Sequence, residues 1–419
     1  MATTLLSRDL HRLDLYTERG RAVQGSPIDA LRGAEARAAG RIISLSHGSP
    51  SPEALPVALI AEIARALLAE EGPELLNYSD SEGDLELREQ IAAFYARDGL
   101  RLGPENVLVT TGATQGFDLA LKLFVEPGDT VVVESPSFPN YLAAFRNYGA
   151  RLLPIPLDPE GLDPRRVAQA VVAERRRGGR VKLVYTIPTF QNPSGLTLSL
   201  ERRRALVQVA RDLGLLVFED DPYQELRFTG ERLPSLLALD GGGAVISCSC
   251  FTKTIAAGIR VGWVAAAEGV IQRMVQAKML NDNCTPLLSQ RIAVRFIRAG
   301  HLPGQIARAA ALYQRRKETL CAALARHFGD DRRVTWTDPQ GGFFLWLCFE
   351  PEVETRELLD IAVEEAVSYV PGVCFDLTQP RSNTLRLSFS YSPVESFDEA
   401  ARRLRRALDR YRALNGLPR

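Results

Sequence analysis

Short apolar runs alternate with longer amphipathic runs from about residue 104 to residue 265. Apolar residues recur at spacings of three and four in 113–125 and 199–214, which predicts helices there. Near-continuous apolar runs predict strands over 106–112, 129–138, 181–190, 213–223, 243–251 and 260–267. Such strands, alternating with helices, indicate a mostly parallel sheet that is covered on both faces. The predicted fold class is therefore α/β, with three αβα layers.

The pattern changes after about residue 310. A long helical pattern covers 311–328, and shorter strand-like pieces follow at 333–339, 342–349 and 384–390. Another short strand-like piece, RIISLSHG at 41–48, is expected to pack against this C-terminal part. These pieces predict a smaller α+β domain made of residues 26–65 and 311–419. The large domain is then expected at 66–310, and an N-terminal arm at 1–25.

Composition is that of an ordinary globular protein. The chain has 419 residues, of which 46% are apolar and 24% charged, and its formal net charge is zero. A balanced charge does not indicate nucleic acid or an anionic membrane as partner. No apolar run is long enough to span a bilayer, and the first twenty residues lack the apolar core of a signal peptide. We therefore expect a cytoplasmic protein.

The six cysteines are scattered, without a CxxC pair or the regular spacing of a disulfide framework. We interpret them as reduced thiols. Cys248 and Cys250 would face the same way on a strand, but no nearby histidine or second cysteine pair completes a metal site. The sequence therefore predicts no metal site.

One lysine stands in an unusual environment. The chain has only five lysines, and Lys253 lies in the apolar stretch SCSCFTKTIAAGIRVGW, seven residues before Arg260. Burying an unpaired ammonium is costly, and a buried lysine tends to lose its proton and become a nucleophilic amine. The alternative is a structural lysine whose ammonium reaches the surface.

Three further features lie where predicted strands end, which is where sites form in open α/β sheets. TTGATQG (110–116) is either an anion-binding helix N-terminus or an ordinary turn. Asn192 in PTFQNPSG is either a turn residue or a ligand-binding residue. In FEDDPYQELRF, Asp221 before Pro222 is predicted to cap a helix, and Asp220 then needs a cationic partner.

Together, these features resemble the aspartate-aminotransferase superfamily of pyridoxal-phosphate enzymes, fold type I. Within it, the chain is most similar to the class I/II branch that contains the 2-aminoadipate (LysN-type) aminotransferases. The resemblance runs from about residue 25 to residue 410. It rests on motifs in family order, namely HGSPSPEALP, LNYSDSEGDLELREQIA, TTGATQGFDLA, VVVESPSFPNY, PTFQNPSG, EDDPYQEL, FTKTIAAGIRVGW, PQGGFFLWL, VPGVCF and NTLRLSFS.

The resemblance implies pyridoxal 5′-phosphate as cofactor and assigns residues to its ring. Lys253 matches the lysine that holds the cofactor as a Schiff base and then moves a proton between substrate Cα and cofactor C4′. Asp220 matches the aspartate that pairs with the pyridine nitrogen and so keeps the ring an electron sink. Tyr223 and Asn192 match two hydrogen-bond donors to the phenolic oxygen. Phe138 stands where the family has an aromatic ring stacked on the pyridine.

The phosphate and the oligomeric state follow from the same resemblance. Gly112, Ala113 and Thr114 match the phosphate cradle at a helix N-terminus, and Arg260 matches its guanidinium partner. Tyr78 matches the tyrosine that reaches the cofactor phosphate of the neighbouring subunit. This match implies a homodimer with active sites at the subunit interface.

The resemblance also implies a substrate site. Arg386 matches the arginine that binds the substrate α-carboxylate through two hydrogen bonds. Gly48 matches a glycine whose backbone lines the same carboxylate site, next to Asn192. His47 replaces a common glycine, and it either packs behind the site or faces the substrate and alters specificity.

The chain departs from the family pattern beside the lysine. The family usually reads Ser-x-Ser-Lys there, whereas this chain has Cys250 and Thr252 at the serine positions. Thr252 keeps a hydroxyl for the phosphate, but Cys250 is a poorer donor. Ala257 replaces a usual proline, and Phe138 replaces a common tyrosine. None of these changes removes a group that the chemistry requires.

The implied function is transfer of the α-amino group of an amino acid to a 2-oxo acid. The same fold and cofactor also support elimination or replacement, decarboxylation, oxidative deamination and cyclisation, and the residues around the ring do not decide among them. A third possibility is an aminotransferase-like sensor domain of a transcription regulator, which would need a fused DNA-binding module.

Overall fold

A seven-stranded sheet and a four-stranded sheet organise the chain in a computed structural model, which describes residues 15–23, 25, 28, 42–376 and 382–418. Most of the expected N-terminal arm, 1–25, and nearly all of 26–41 lie outside the described residues. Strands β1 to β13 run over Ile43–Ser44, Val107–Thr110, Thr130–Ser135, Arg151–Pro156, Val181–Thr186, Leu216–Asp220, Val245–Cys250, Gly262–Ala265, Thr335–Trp336, Phe344–Cys348, Val367–Ser368, Val370–Pro371 and Thr384–Ser388.

Helices flank these strands. The α-helices α1 to α13 run over Glu18–Ala22, Val57–Leu75, Leu85–Ala96, Ala113–Phe124, Pro139–Asn147, Pro164–Arg176, Leu200–Leu213, Leu236–Asp240, Glu268–Met279, Leu287–Arg298, His301–Phe328, Thr355–Glu364 and Phe397–Leu414. Short 3₁₀ turns occur at Pro52–Ala54, Pro104–Asn106, Ala257–Ile259, Gly372–Cys374 and Val394–Ser396.

The large sheet has the strand order β2-β8-β7-β6-β5-β3-β4. Strand β8 is antiparallel to both of its neighbours, and the remaining pairs are parallel. Successive side chains alternate between two apolar cores, so that Val184 and Val217 lie in one while Leu183 and Phe218 lie in the other. Helices cover both faces, and the predicted α/β class with a mostly parallel sheet is confirmed.

A separate apolar core lies in the C-terminal part. The antiparallel sheet β12-β13-β10-β9 packs there with α11 and α13. Ile43 of β1 pairs with Val367 of β11 in parallel, so RIISLSHG does join this part as expected. The division into domains stays a prediction, but α11 begins at His301 and not near 311.

The structure differs from the sequence analysis at two local points. The edge strand β4 was not predicted, because its sequence RLLPIP carries an arginine and two prolines. The prediction that Asp221 caps a helix is wrong, since Pro222–Leu226 is a non-helical turn. There the Leu226 N–H donates to the Tyr223 carbonyl, and Asp221 instead accepts a hydrogen bond from the Thr189 hydroxyl at 3.2 Å.

All six cysteines are free thiols. In the described ranges, no cluster of three or more potential metal ligands occurs. Across those same ranges, no helix has the length and apolar character needed to cross a bilayer.

Candidate active site

A cleft of about 570 Å³ opens at the carboxyl ends of the parallel strands β5, β6 and β7. Its lining contains most of the residues predicted for cofactor binding. The lining residues are Ala113, Thr114, Phe138, Tyr141, Ile187, Asn192, Asp220, Pro222, Tyr223, Cys250, Thr252, Lys253 and Arg260. The motifs are far apart in sequence, and the sheet topology brings them together.

Lys253 lies in the turn that follows β7. Its Nζ donates to the Gly48 carbonyl at 3.0 Å. Burial lowers the pKa of the Lys253 ammonium, and the positive charges of Arg386 and Arg260 lower it further, against the opposing influence of Cys250 and Asp220. A lowered pKa favours the neutral amine, which is the nucleophilic form.

Asp220, the last residue of β6, is buried and has two differently placed oxygens. Its Oδ2 accepts a hydrogen bond from the Tyr185 hydroxyl at 3.0 Å, whereas its Oδ1 accepts none from the residues that the structure describes. Burial raises the pKa of Asp220 to about 7, although the Tyr185 hydrogen bond and the Lys253 charge oppose this rise. A buried carboxylate with one unoccupied oxygen suits a protonated ring nitrogen.

Glu219 and Asp221, the acids on either side of Asp220, point away from the cleft. Glu219 accepts hydrogen bonds from the backbone N–H groups of Leu236 and Leu237, at the start of α8. The buried Arg203 lies close enough that its charge lowers the pKa of both Glu219 and Asp221, against the larger effect of burial. Strand alternation therefore leaves only Asp220 for the cleft.

The N-terminus of α4 lies beside Arg260. Gly112 precedes this helix with a φ of +81°, and a Cβ added to it would lie 2.2 Å from Arg260 Nη2. Arg260 Nη2 also donates to the Thr111 carbonyl at 3.1 Å. On the other side, a Cβ on Gly262 would lie 2.6 Å from the Gly112 carbonyl carbon. The positive end of a helix dipole and a guanidinium together fit a phosphate.

Two aromatic rings form one wall. Tyr141 stacks on Phe117 with 3.7 Å between ring centroids, and Phe138 packs edge-on against Tyr141 at 5.1 Å. Tyr141 was not predicted as a site residue. Its position three residues after Phe138 is a signal for it, because Phe138 immediately precedes α5 and this spacing places Tyr141 one helical turn further on.

The predicted carboxylate site is assembled from both sheets. Arg386 on β13 is buried, and it donates through Nη1 to Asn192 Oδ1 at 3.0 Å and through Nη2 to the Ser46 carbonyl at 2.6 Å. Its guanidinium carbon lies 4.1 Å from the centre of the Phe344 ring. A Cβ on Gly48 would lie 3.1 Å from the same ring, so this segment approaches it closely.

Five predicted residues are absent from the lining of this cleft: Gly112, Gly48 and Arg386, whose contacts are given above, and His47 and Tyr78. The His47 ring packs at 5.2 Å from the Tyr391 ring, which leaves both of its predicted roles open. Tyr78 is 79% exposed, as expected for a residue that would serve another subunit. Cys250 does line the cleft and pairs with Gly262 across the sheet.

The sequence comparison identifies the family. A model of the family "Aminotransferase class I and II" matches residues 41–404. The chain therefore belongs to the class I and II aminotransferases, and the residues of the cleft fit the pyridoxal 5′-phosphate that these enzymes use.

Individual relatives support this assignment. The chain is 37% identical to the 2-aminoadipate transaminase of Thermus thermophilus, over 88% of this chain and 90% of that protein. It is 36% identical to the aromatic-amino-acid aminotransferase 1 of Thermococcus litoralis, over 87% of both chains. The solved structure of the Pyrococcus horikoshii kynurenine aminotransferase superposes with a TM-score of 0.90 at 32% identity, covering 96% of this chain and 99% of that one.

The predicted family, fold type, cofactor and class of reaction are thus confirmed. The chain is a fold-type-I, pyridoxal-phosphate-dependent transferase that moves an amino group between amino acids and 2-oxo acids.

Proposed function

We propose that the cleft around Lys253 is the active site of this aminotransferase and that Lys253 binds the cofactor covalently. The supporting observation is that the Lys253 amine shares the cleft with Asp220, whose buried Oδ1 accepts no hydrogen bond from the described residues. The lowered pKa of Lys253 suits it both to attack an aldehyde and to carry a proton to and from the substrate Cα.

The other residues are proposed to hold and orient the reactants. When bound, pyridoxal 5′-phosphate supplies an aldehyde for the amino group and a ring that accepts electron density. Asp220 holds the proton on the ring nitrogen. Tyr223 donates to the phenolic oxygen, since burial raises the pKa of its hydroxyl and keeps it protonated. Arg386 binds the substrate α-carboxylate beside Asn192 and the Gly48 backbone.

We propose that the amino donor has a large side chain and that a 2-oxo acid is the acceptor. The Thermococcus litoralis and Thermus thermophilus relatives act on aromatic amino acids and 2-aminoadipate by their names, and each is more than a third identical to this chain over most of its length. An amino-acid panel tests this directly. Aromatic amino acids and 2-aminoadipate should each convert the purified holoenzyme to a pyridoxamine form, and an added 2-oxo acid should regenerate the starting spectrum.

The panel includes Lys253→Ala as a control. We expect this variant to lack both the visible absorption of the lysine-bound cofactor and turnover. Turnover by Lys253→Ala would contradict the proposal. Amino acids that release ammonia, carbon dioxide or an eliminated group, without an oxo-acid requirement, would instead indicate one of the other reactions of this cofactor.

We further propose a cytoplasmic homodimer. Several large apolar residues are exposed in two segments of the chain, namely Leu76 and Tyr78 in one and Met279 and Leu280 in the other. The two segments that carry them are adjacent, since the Ser79 hydroxyl donates to the Thr285 carbonyl at 3.3 Å. Large apolar side chains exposed on neighbouring segments are typical of a protein–protein interface.

A further inference from the structure

A buried carboxylate next to the cleft links two of its walls. Glu134 lies near the end of β3 and is 2% exposed. Its Oε1 accepts hydrogen bonds from the Thr186 hydroxyl at 2.5 Å and from the Ile187 N–H at 3.2 Å. Its Oε2 accepts from Gln191 Nε2 at 3.0 Å. The carboxylate therefore joins β3 to the segment that follows β5.

The Gln191 amide cannot rotate freely. Its Nε2 donates to the Pro136 carbonyl at 2.8 Å as well as to Glu134. Its Oε1 accepts from both the backbone N–H and the hydroxyl of Ser194, at 2.9 Å and 2.6 Å. Turning the amide over would place a donor against the Ser194 N–H and an acceptor against the Pro136 carbonyl. Gln191 is therefore fixed as a donor toward Glu134.

Each member of this pair is adjacent to a residue of the proposed site. The segment that begins at Glu134 continues through Pro136 to Phe138, which lines the cleft. Gln191 immediately precedes Asn192, which lines the opposite part of the cleft and accepts the hydrogen bond from Arg386. The Glu134–Gln191 hydrogen bond thus connects the aromatic wall to the loop that carries Asn192.

We propose that Glu134 and Gln191 are positioning residues that hold Phe138 and Asn192 at the spacing the cofactor ring requires. Neither residue lines the cleft, so both act through their neighbours. The inference rests on the proposed active site. A site binds its ligand tightly when surrounding residues hold the ligand-contacting side chains in one position by hydrogen bonds and packing.

A carboxylate is specifically required at position 134. In Glu134→Gln, the new amide oxygen can still accept from Thr186 and Ile187, but its NH₂ group then faces the donor of Gln191. Two buried donors at hydrogen-bond distance repel each other and leave both groups unsatisfied. Burial raises the pKa of Glu134 to about 7, and among nearby charges the Asp220 carboxylate raises it further. The hydrogen bonds from Thr186, Gln191 and Ile187 oppose this rise and favour the ionised acceptor.

The test measures binding of pyridoxal 5′-phosphate to the apoprotein by absorbance titration, together with the thermal stability of the apoprotein. Glu134→Gln should bind at least about tenfold more weakly than wild type, the equivalent of one lost buried hydrogen bond. The double variant Glu134→Gln with Gln191→Glu restores a donor–acceptor pair, because the new carboxylate at position 191 can accept from the new amide at position 134 and from Ser194. The hydrogen bond to the Pro136 carbonyl is lost, so the recovery should be partial. The double variant should still bind several-fold more tightly than either single variant.

A matched control separates positioning from general destabilisation. Asp240 is also a buried carboxylate that accepts two backbone N–H groups, from Ala244 and Val245, but it lies outside the cleft. Asp240→Asn should lower the melting temperature of the apoprotein and leave cofactor affinity within about twofold of wild type.

The outcomes are distinguishable. Wild-type affinity in Glu134→Gln, or a double variant that binds no more tightly than either single variant, would overturn the positioning role while leaving the proposed active site intact. Failure of the wild-type chain to bind the cofactor would overturn both. If Glu134→Gln does not fold, Thr186→Val removes one donor from the same carboxylate and should weaken binding by about threefold; unchanged binding would count against the proposal.

Discussion

At the scale of single residues, Asp220 depends on Tyr185 for its ionisation. The Tyr185 hydroxyl is the donor to Asp220 Oδ2, and this hydrogen bond stabilises the ionised carboxylate against burial. The pKa of about 7 lies above the unfolded value of 3.8. The folded chain therefore holds the Asp220 proton more tightly than the unfolded chain does. The resulting stabilisation is complete below about pH 4 and is lost as the pH rises toward and through 7.

Tyr185→Phe should shift the loss of the Asp220 contribution to stability to higher pH. Without the hydroxyl, the pKa of Asp220 rises by about one unit, the equivalent of about 1.4 kcal/mol. The free energy of unfolding of the apoprotein should then fall more between pH 7 and pH 8 in the variant than in wild type. Chemical denaturation of both proteins across this range measures the difference.

A surface pair of the same kind provides the control. The Tyr148 hydroxyl donates to Asp118 Oδ1 at 2.8 Å, away from the cleft. Tyr148→Phe should change stability by a similar amount at every pH in this range. Parallel pH profiles for Tyr185→Phe and Tyr148→Phe would contradict the role assigned to Tyr185.

At the scale of elements, the junction between β2 and α4 is built around one glycine. Gly112 has a positive φ, and the guanidinium of Arg260 occupies the space that a Cβ would fill. Gly112→Ala should displace Arg260, whose side-chain end can move, and weaken binding of pyridoxal 5′-phosphate by about tenfold or more.

The control is Gly128, which has a similar φ of +86° but open space around it. Gly128→Ala should lower the free energy of unfolding by about 1 kcal/mol, as the positive φ alone would in Gly112→Ala, and should leave cofactor affinity unchanged. Equal cofactor affinities in the two variants would contradict the proposed phosphate cradle.

The same scale shows which elements the sequence predicts and which it does not. Central strands such as β6 were predicted because burial on both faces demands a continuous apolar run. Edge strand β4 was not predicted, because an edge strand can contain prolines and an exposed arginine and therefore lacks a continuous apolar run. Among the residues of the proposed site, those within local motifs, such as Lys253 and Asp220, could be named from the sequence. Tyr185 and Glu134 could not, since their roles depend on side chains of neighbouring strands.

At the scale of the whole molecule, we propose that a second copy of the chain completes the site. Tyr78, which the family resemblance assigns to the phosphate of another subunit, projects from the described surface with 79% exposure. The segment that carries it is hydrogen-bonded, through Ser79 and the Thr285 carbonyl, to the segment that carries Leu280, which is 91% exposed. Burying such residues against a second copy would remove a large apolar area from water. A C2 dimer makes the two Tyr78 side chains equivalent, and we propose that each lies at its partner's site.

Mixed dimers test this arrangement. Tyr78→Ala and Lys253→Ala should each have little or no aminotransferase activity alone. Coexpressed, they should pair at random, so that about half of the dimers combine one chain of each kind and contain one intact site. Activity should then recover to about a quarter of wild type. Lys253→Ala coexpressed with Asp220→Asn is the matched control: both residues serve the same chain's site, so no mixed dimer is intact. Recovery in the control, or none in the test pair, would contradict sites shared between subunits.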